Sequence, residues 1–455
     1  MSTFLFDGFE TLSPSAWKQK IQVDLKGADY NETLLWKSNE GIVVKPFYSL
    51  EDRNNAAIDL PERGFRICQS IFVDDIGISN KLAIDALKRG ANAIQFTATS
   101  SFDHQNLLKG IDLSETTLYF HLQFLDPAFV KLLDQYCKNA DVYYQIDPIG
   151  HLARTGNWYT NLTADINHTK EIVEHIDCSL HVNTSIYQNA GANTVQELAY
   201  ALAHTNEYIE IFGKSIIEKM HYSFSVGSNY FFSIAKLRAF RILHRSLAER
   251  HGVKSAKAHI FTQPSLRNKT IYDYNVNMLR TTSECMSAIL GGSDTISNVS
   301  YDSLYHKSNE FGERISRNQL LILQKEAYLQ EAQNIANGTY YIENITKQFA
   351  EKALEVFKQI EKGGGFLKQL KNGSIQKKVQ ESAKREQEQF NKQEIALLGT
   401  NKLPNKEDRM KDNLEIYPFL KQNNSKTLIP PIPPIRLSEQ YEKHRLETEY
   451  YDREQ

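Results

Sequence analysis

Cysteine is scarce in this chain and is nowhere arranged for chemistry. Cys68, Cys137, Cys178 and Cys285 stand far apart with no Cys-x-x-Cys spacing. That excludes a zinc knuckle and a disulfide framework, and the thiols read as reduced side chains of a reducing compartment. No apolar run approaches the ~20 residues of a membrane-spanning helix. The amino-terminal MSTFLFDGFETL carries acids and no cationic start, unlike a secretory signal, so the expected location is the cytoplasm. Charge of one sign is missing too: 53 Lys and Arg face 55 Asp and Glu, a net −2. Neither nucleic acid nor a membrane surface is expected as a partner.

Familiar catalytic signatures are also absent. There is no Gly-x-x-x-x-Gly-Lys-Ser/Thr phosphate loop, and Gly363-Gly364-Gly365 has neither the lysine nor the helix start it would need. There is no Gly-x-Ser-x-Gly elbow for a hydrolase nucleophile and no His-Glu-x-x-His for zinc. No metal site and no catalytic residue is expected.

What remains is a chain of 455 residues, 41% of them hydrophobic, enough for one large core with additions at both ends. Between about Phe65 and Lys325, short β-type runs alternate with helical periodicity. The runs begin near Arg66, Ala93, Leu118, Val142, Leu180, Ser223, Ala258 and Asp294. Eight such alternations predict a closed parallel (β/α)8 barrel. Thr194 with Glu197 predicts a capping box. A helix from near Ser228 has Phe232, Ala235, Ala239, Ile242 and Leu243 on one face, with Lys236, Arg238 and Arg245 able to reach water. Asp273 is the N-cap type expected to open the next helix.

The expected organisation is an amino-terminal arm over 1–62 and the barrel over 63–340. The arm should hold a helix around Trp17 to Leu25 and a strand from Ile42 to Tyr48. A charged helical extension follows over 341–400, with a solvated helix over 371–395. A Pro-rich strap and tail occupy 401–455, the strap running Leu428 to Leu437 through Pro430-Pro431-Ile432-Pro433-Pro434.

Side chains of a strand alternate between its two faces. The sets Leu118, Phe120, Leu122; Leu180, Val182; and Phe224, Val226 suit the outer face beneath the helices. Tyr119, His121 and Gln123; Tyr143, Gln145 and Asp147; His181 and Asn183; Ser223 and Ser225; and His259, Phe261 and Gln263 then point into the bore. A polar bore is either a ligand tunnel or a network closed on itself, since each unpaired buried group costs about 1–3 kcal/mol. Bulky His, Tyr, Gln and Phe side chains favour the filled bore. Asp147, at a strand end where barrel enzymes keep catalytic groups, is equally a turn-forming Asp-Pro.

From residue 183 onward the chain resembles the methylmalonyl-CoA mutase family. The resemblance is carried by Gln188-Asn189-Ala190-Gly191-Ala192, Asn229-Tyr230-Phe231-Phe232, Asn277-Met278-Leu279-Arg280-Thr281-Thr282, Gly291-Gly292-Ser293-Asp294, Arg314-Ile315-Ser316-Arg317-Asn318-Gln319 and Gly338-Thr339-Tyr340-Tyr341-Ile342-Glu343. It implies a barrel through which a CoA tail threads, and adenosylcobalamin held by the histidine of an Asp-x-His-x-x-Gly motif in a further domain.

Three departures alter what it implies. None of the thirteen histidines follows an aspartate by two positions. The family's Tyr-His pair is replaced by Ser185 and Ile186, and of its Arg-x-His-x-Gln strand only Gln263 remains in His259-Ile260-Phe261-Thr262-Gln263. Ser185, Ile186 and Gln263 are therefore candidates for a vestigial cleft. The resemblance thus implies a non-catalytic small chain paired in a heterodimer with a larger catalytic homologue, adenosylcobalamin being bound through that partner. Two alternatives stand beside it: an acyl-CoA-binding barrel working with a separate cobalamin-domain protein, and a regulatory barrel that senses a CoA ester.

Overall fold

The computed structural model describes residues 8–10, 12–53, 58–61, 64–331, 334–420 and 426–451. Leu118, Phe120 and Leu122 recur at every second position, and all three lie buried on the helix side of their strand. The same holds for Leu180 and Val182 and for Phe224 and Val226. Fully burying each such side chain contributes about 1.5–3 kcal/mol, enough to settle which face of each strand points outward.

Ahead of the barrel stand helices α1 (Pro14–Asp24) and α2 (Tyr30–Leu34) and a small antiparallel pair, β1 (Trp36–Lys37) and β2 (Val43–Val44). The expected strand over Ile42 to Tyr48 is thus reduced to two paired residues. The barrel strands are β3 (Arg66–Phe72), β4 (Ala93–Ala98), β5 (Thr117–Leu122), β6 (Asp141–Tyr144), β7 (Leu180–Asn183), β8 (Met220–Val226), β9 (His259–Pro264) and β10 (Thr295–Ser297). All are parallel, in the order β6-β5-β4-β3-β10-β9-β8-β7. The seam between β6 and β7 closes through two backbone bonds, Tyr144 N to Cys178 O at 3.0 Å and His181 N to Ile146 O at 2.9 Å. The eight expected strands are all present, and the fold is a (β/α)8 barrel.

The connections carry α3 (Ile76–Lys88), α4 (His104–Leu108), α5 (Pro127–Tyr136), α6 (Pro148–Thr155), α7 (Leu162–Val173), α8 (Ser185–Asn189), α9 (Thr194–Phe212), α10 (Tyr230–Arg250) and α11 (Val276–Leu290). After β10 comes α12 (Glu310–Leu321). Three helix details differ from expectation. The capping box at α9 uses Asn193 and Gln196, one residue earlier than Thr194 and Glu197; Glu197 is fully buried and pairs with Lys236 at 2.7 Å. Lys236 and Arg238 do not reach water, because α10 lies between α9, α11 and α13 (Tyr340–Lys362). Asp273 does not cap α11: it has a left-handed φ of 47° and its amide donates to Asp408, while Asn275 holds the N-cap position.

Beyond α13, α14 (Phe366–Lys371) and α15 (Ser374–Asn391) follow the glycine interruption. The segment expected to be a solvated helix is helical but buries Ile375, Val379 and Phe390 along one side. Those three residues lay hidden among Lys, Glu and Gln. The Pro-rich strap lies on the body of the barrel, and α16 (Glu439–Tyr451) follows it. Leu428 and Ile429 donate to Gly156 O, Ile432 to Ala153 O, Ile435 to Asn189 O and Leu437 to Arg267 O. Gly156 ends α6 at φ 80°, where a Cβ would come within 2.5 Å of the Ile429 carbonyl. Only glycine lets the strap approach so closely.

Candidate functional site

The alternation that sends leucines outward sends rings inward. Tyr119 of β5 is fully buried, and its hydroxyl lies 2.8 Å from His259 Nε2 and 2.7 Å from Thr295 Oγ1. Its ring stacks on Tyr143 at 5.0 Å and leans on Phe261 at 4.9 Å. Tyr143 stacks in turn on His259 at 4.0 Å, and His181 stacks on His221 at 4.8 Å. Tyr119, Tyr143, Phe261, Cys68 and Ala93 form one apolar cluster. Around the rings hydroxyl and amide groups bond to one another, while both nitrogens of the buried His221 have no hydrogen-bond partner. His181 Nε2 lies 2.7 Å from Ser223 Oγ, Gln95 donates to Gln145 at 2.7 Å, and Ser70 donates to Gln95 at 2.6 Å. At the amino-terminal rim Arg66 reaches Asp141, three strands away, at 2.7 Å.

At the carboxyl-terminal mouth His121, Gln145, Asp147, His181, Asn183 and Ile186 meet His151, Arg154 and Tyr159 around a cavity of about 20 Å³. That is room for about one water. Asp147 is the N-cap of α6. It accepts from Gly150 N at 2.7 Å, Asn183 N at 2.9 Å and the Tyr208 hydroxyl at 2.6 Å, and His204 Nε2 stands 3.0 Å away. Burial alone would raise its carboxyl, but His204, with His181 and the Tyr208 hydroxyl, holds it below the usual carboxylate range. A carboxylate so fully occupied is a structural anchor for the mouth.

The candidate residues therefore fall at different depths. Ile186, His121, Gln145, His181 and Asn183 share the mouth; Tyr119, Tyr143, His259 and Phe261 pack below it. Ser185 and Gln263 do not line that cavity: Ser185 opens α8, and Gln263 stands beside Ser225 in the sheet. His121, His181 and His259 do not converge, and among the described residues no three His, Cys, Asp or Glu side chains form a metal-ligating group.

Four contributors escaped the sequence reading. His221 keeps the parity of Ser223 and becomes visible once β8 is extended back to Met220. Gln95 and Ser70 sit at alternating positions of β4 and β3 that the same rule would mark. His204 projects from α9, and no strand pattern could reveal it.

Burial, with the Arg154 cation next in importance, lowers His121 and His151 to about 4. Burial lowers His181 to about 3 and also depresses His221 and His259. The unfolded chain therefore binds more protons than the folded one below about pH 6.5, so stability falls as pH drops from there toward about 4. The expected loss is up to about 1.4 kcal/mol per pH unit for each such histidine. Thermal unfolding followed across that window checks this, and an unchanged Tm would mean that the imidazoles are not held neutral.

Residues 98–429 match the protein family described as methylmalonyl-CoA mutase. The chain is 32% identical to the methylmalonyl-CoA mutase small subunit of Porphyromonas gingivalis, over 98% of this chain and 78% of that protein. It is 32% identical to the methylmalonyl-CoA mutase small subunit of Streptomyces virginiae, over 57% of this chain and 43% of that protein. To the methylmalonyl-CoA mutase large subunit of Porphyromonas gingivalis it is 29% identical, over 52% of this chain and 34% of that protein.

Proposed function

Because this chain belongs to the methylmalonyl-CoA mutase family, we propose that it is the non-catalytic small subunit of such a mutase. A larger homologous chain would carry the conversion of methylmalonyl-CoA to succinyl-CoA, and the two would pair as a heterodimer in the cytoplasm. The observation that carries this reading is the packed bore. Its aromatic and imidazole rings lie against each other, its hydroxyl and amide groups are mutually bonded, and its mouth has room for about one water. Stacked rings in place of an axial passage argue against the two readings in which the bore takes up an acyl-CoA. Two subunits of the mutase bear separate names in Porphyromonas gingivalis, and this chain is similar to both, which supports the pairing.

The side chains at the mouth do not fit adenosylcobalamin. Of the mouth imidazoles, His181 is engaged with Ser223, His151 stacks on Tyr159 at 3.7 Å, and the space they share with His121 has room for about one water and none for a corrin. Ile186, at the mouth, offers neither a donor nor an aromatic face. We place the cofactor with the partner chain. Among the described residues no helix is long and apolar enough to cross a membrane, which agrees with a pair that works in solution.

The test is affinity capture of the tagged chain from its native cells, with assay of the isolated chain alongside. Recovery of a larger chain bearing Asp-x-His-x-x-Gly is expected, with no succinyl-CoA formed by the isolated chain given adenosylcobalamin and methylmalonyl-CoA. Turnover by the chain alone would sink the proposal.

A further inference from the structure

Away from the bore, residues from both ends of the chain meet the barrel around a cavity of about 720 Å³, within the roughly 300–1,000 Å³ of small-molecule sites. One wall is aromatic: Trp36 of β1 stacks on Phe232 of α10 at 5.4 Å, and the indole is still 52% exposed. Two cations, Lys37 and Arg385, line the same cavity, and both are exposed. Among the described residues neither forms an ion pair within 4 Å, although Arg385 lies close enough to Glu381, one turn back on α15, to help hold that carboxyl down. The cations deeper in are neutralised: Lys236 donates to Glu197 and to the Ser225 carbonyl.

Four carboxylates also line the space: Glu197 and Glu386 are paired with Lys236 and Arg267, while Glu40 and Glu394 have no ion pair among the described residues. Burial raises the Glu40 carboxyl, and nearby Glu386 raises it further. The walls are pinned across the chain, Asn39 and Gln389 exchanging amide bonds at 2.6 and 3.2 Å. The cavity is therefore preformed and needs no ordering of loops to receive a ligand.

A flat aromatic shelf, two exposed cations and carboxylates able to accept from hydroxyls have one ligand chemistry in common. We propose that this cleft binds a nucleotide, with its base on the Trp36 indole, its phosphates between Lys37 and Arg385, and its ribose hydroxyls donating to Glu40 or Glu394. Stacking tolerates any base, Arg forks suit phosphate oxygens, and a carboxylate is a common ribose partner. A free nucleotide and the nucleotide end of a CoA ester carry the same chemistry, and both would reach this cleft from outside the bore.

Calorimetry on the full chain with ADP, CoA and pantetheine tests the site, and the ratio of the ADP and CoA affinities tells the two sources apart. ADP and CoA are both expected to bind saturably and pantetheine not at all. Lys37→Glu, Arg385→Glu and Trp36→Leu should each weaken ADP by about tenfold or more, and a melting curve for each variant checks that it remains folded. The proposal is overturned by ADP showing no saturable binding, by CoA binding without ADP, or by charge-reversed variants that bind ADP as the parent does. The subunit role above is decided separately, by the capture experiment.

Discussion

Glu284→Leu should lower the stability of the chain by about 3–5 kcal/mol, the cost of leaving a buried charge without its partner. Glu284 and Lys269 are both fully buried and 2.7 Å apart, and Asn268 bridges them by donating to Glu284 at 2.6 Å while accepting from Lys269 at 2.7 Å. Burial pushes the lysine down and the carboxyl up, and each charge holds the other ionised. Removing the carboxylate leaves the ammonium with Asn268 alone. The double variant Lys269→Met with Glu284→Leu should recover most of the loss, because apolar groups of like volume need no solvation. The comparison is read from the denaturant midpoint at constant m-value. A Glu284→Leu protein with an unshifted midpoint would mean that water reaches this pair.

Tyr119→Ala should cost a similar amount, about 3–5 kcal/mol, because it empties the centre of the bore. It removes the ring that Tyr143 and Phe261 pack against and leaves His259 Nε2 and Thr295 Oγ1 without the hydroxyl between them. Tyr119→Phe keeps the ring and forfeits only the hydroxyl, at about 1–3 kcal/mol. The interval between the two variants separates packing from hydrogen bonding. Should Tyr119→Ala melt within a degree or two of the parent, the centre of the barrel would be a passage, and the non-catalytic reading would lose its main support.

The barrel was legible because each strand carries its own period of two, and the outer apolar sets name their faces without help from the rest of the chain. The boundaries were less legible where two choices satisfy the same local rule. Asn193 with Gln196 and Thr194 with Glu197 both read as a capping box, and the choice was made at long range, by Lys236 drawing Glu197 into the core. Lys236 and Arg238 read as solvent-facing because the helices that bury them lie elsewhere in the chain. The interior was legible as far as the strands reached, so Tyr119, Tyr143 and His259 were in view. His204 was not, because its approach to Asp147 depends on how α9 packs over the barrel.

The strap has a bearing on the order of events during synthesis. Leu428 bonds to Asn157 across 271 positions, and Arg267 bonds to the Ile435 carbonyl across 168. A barrel emerging from the ribosome must wait for the strap, which follows all eight strands in the chain, before Ala153, Asn189 and Arg267 acquire these partners. Contacts so distant in the chain form slowly, so the nascent protein passes through a stage with all eight strands made and one rim still bare.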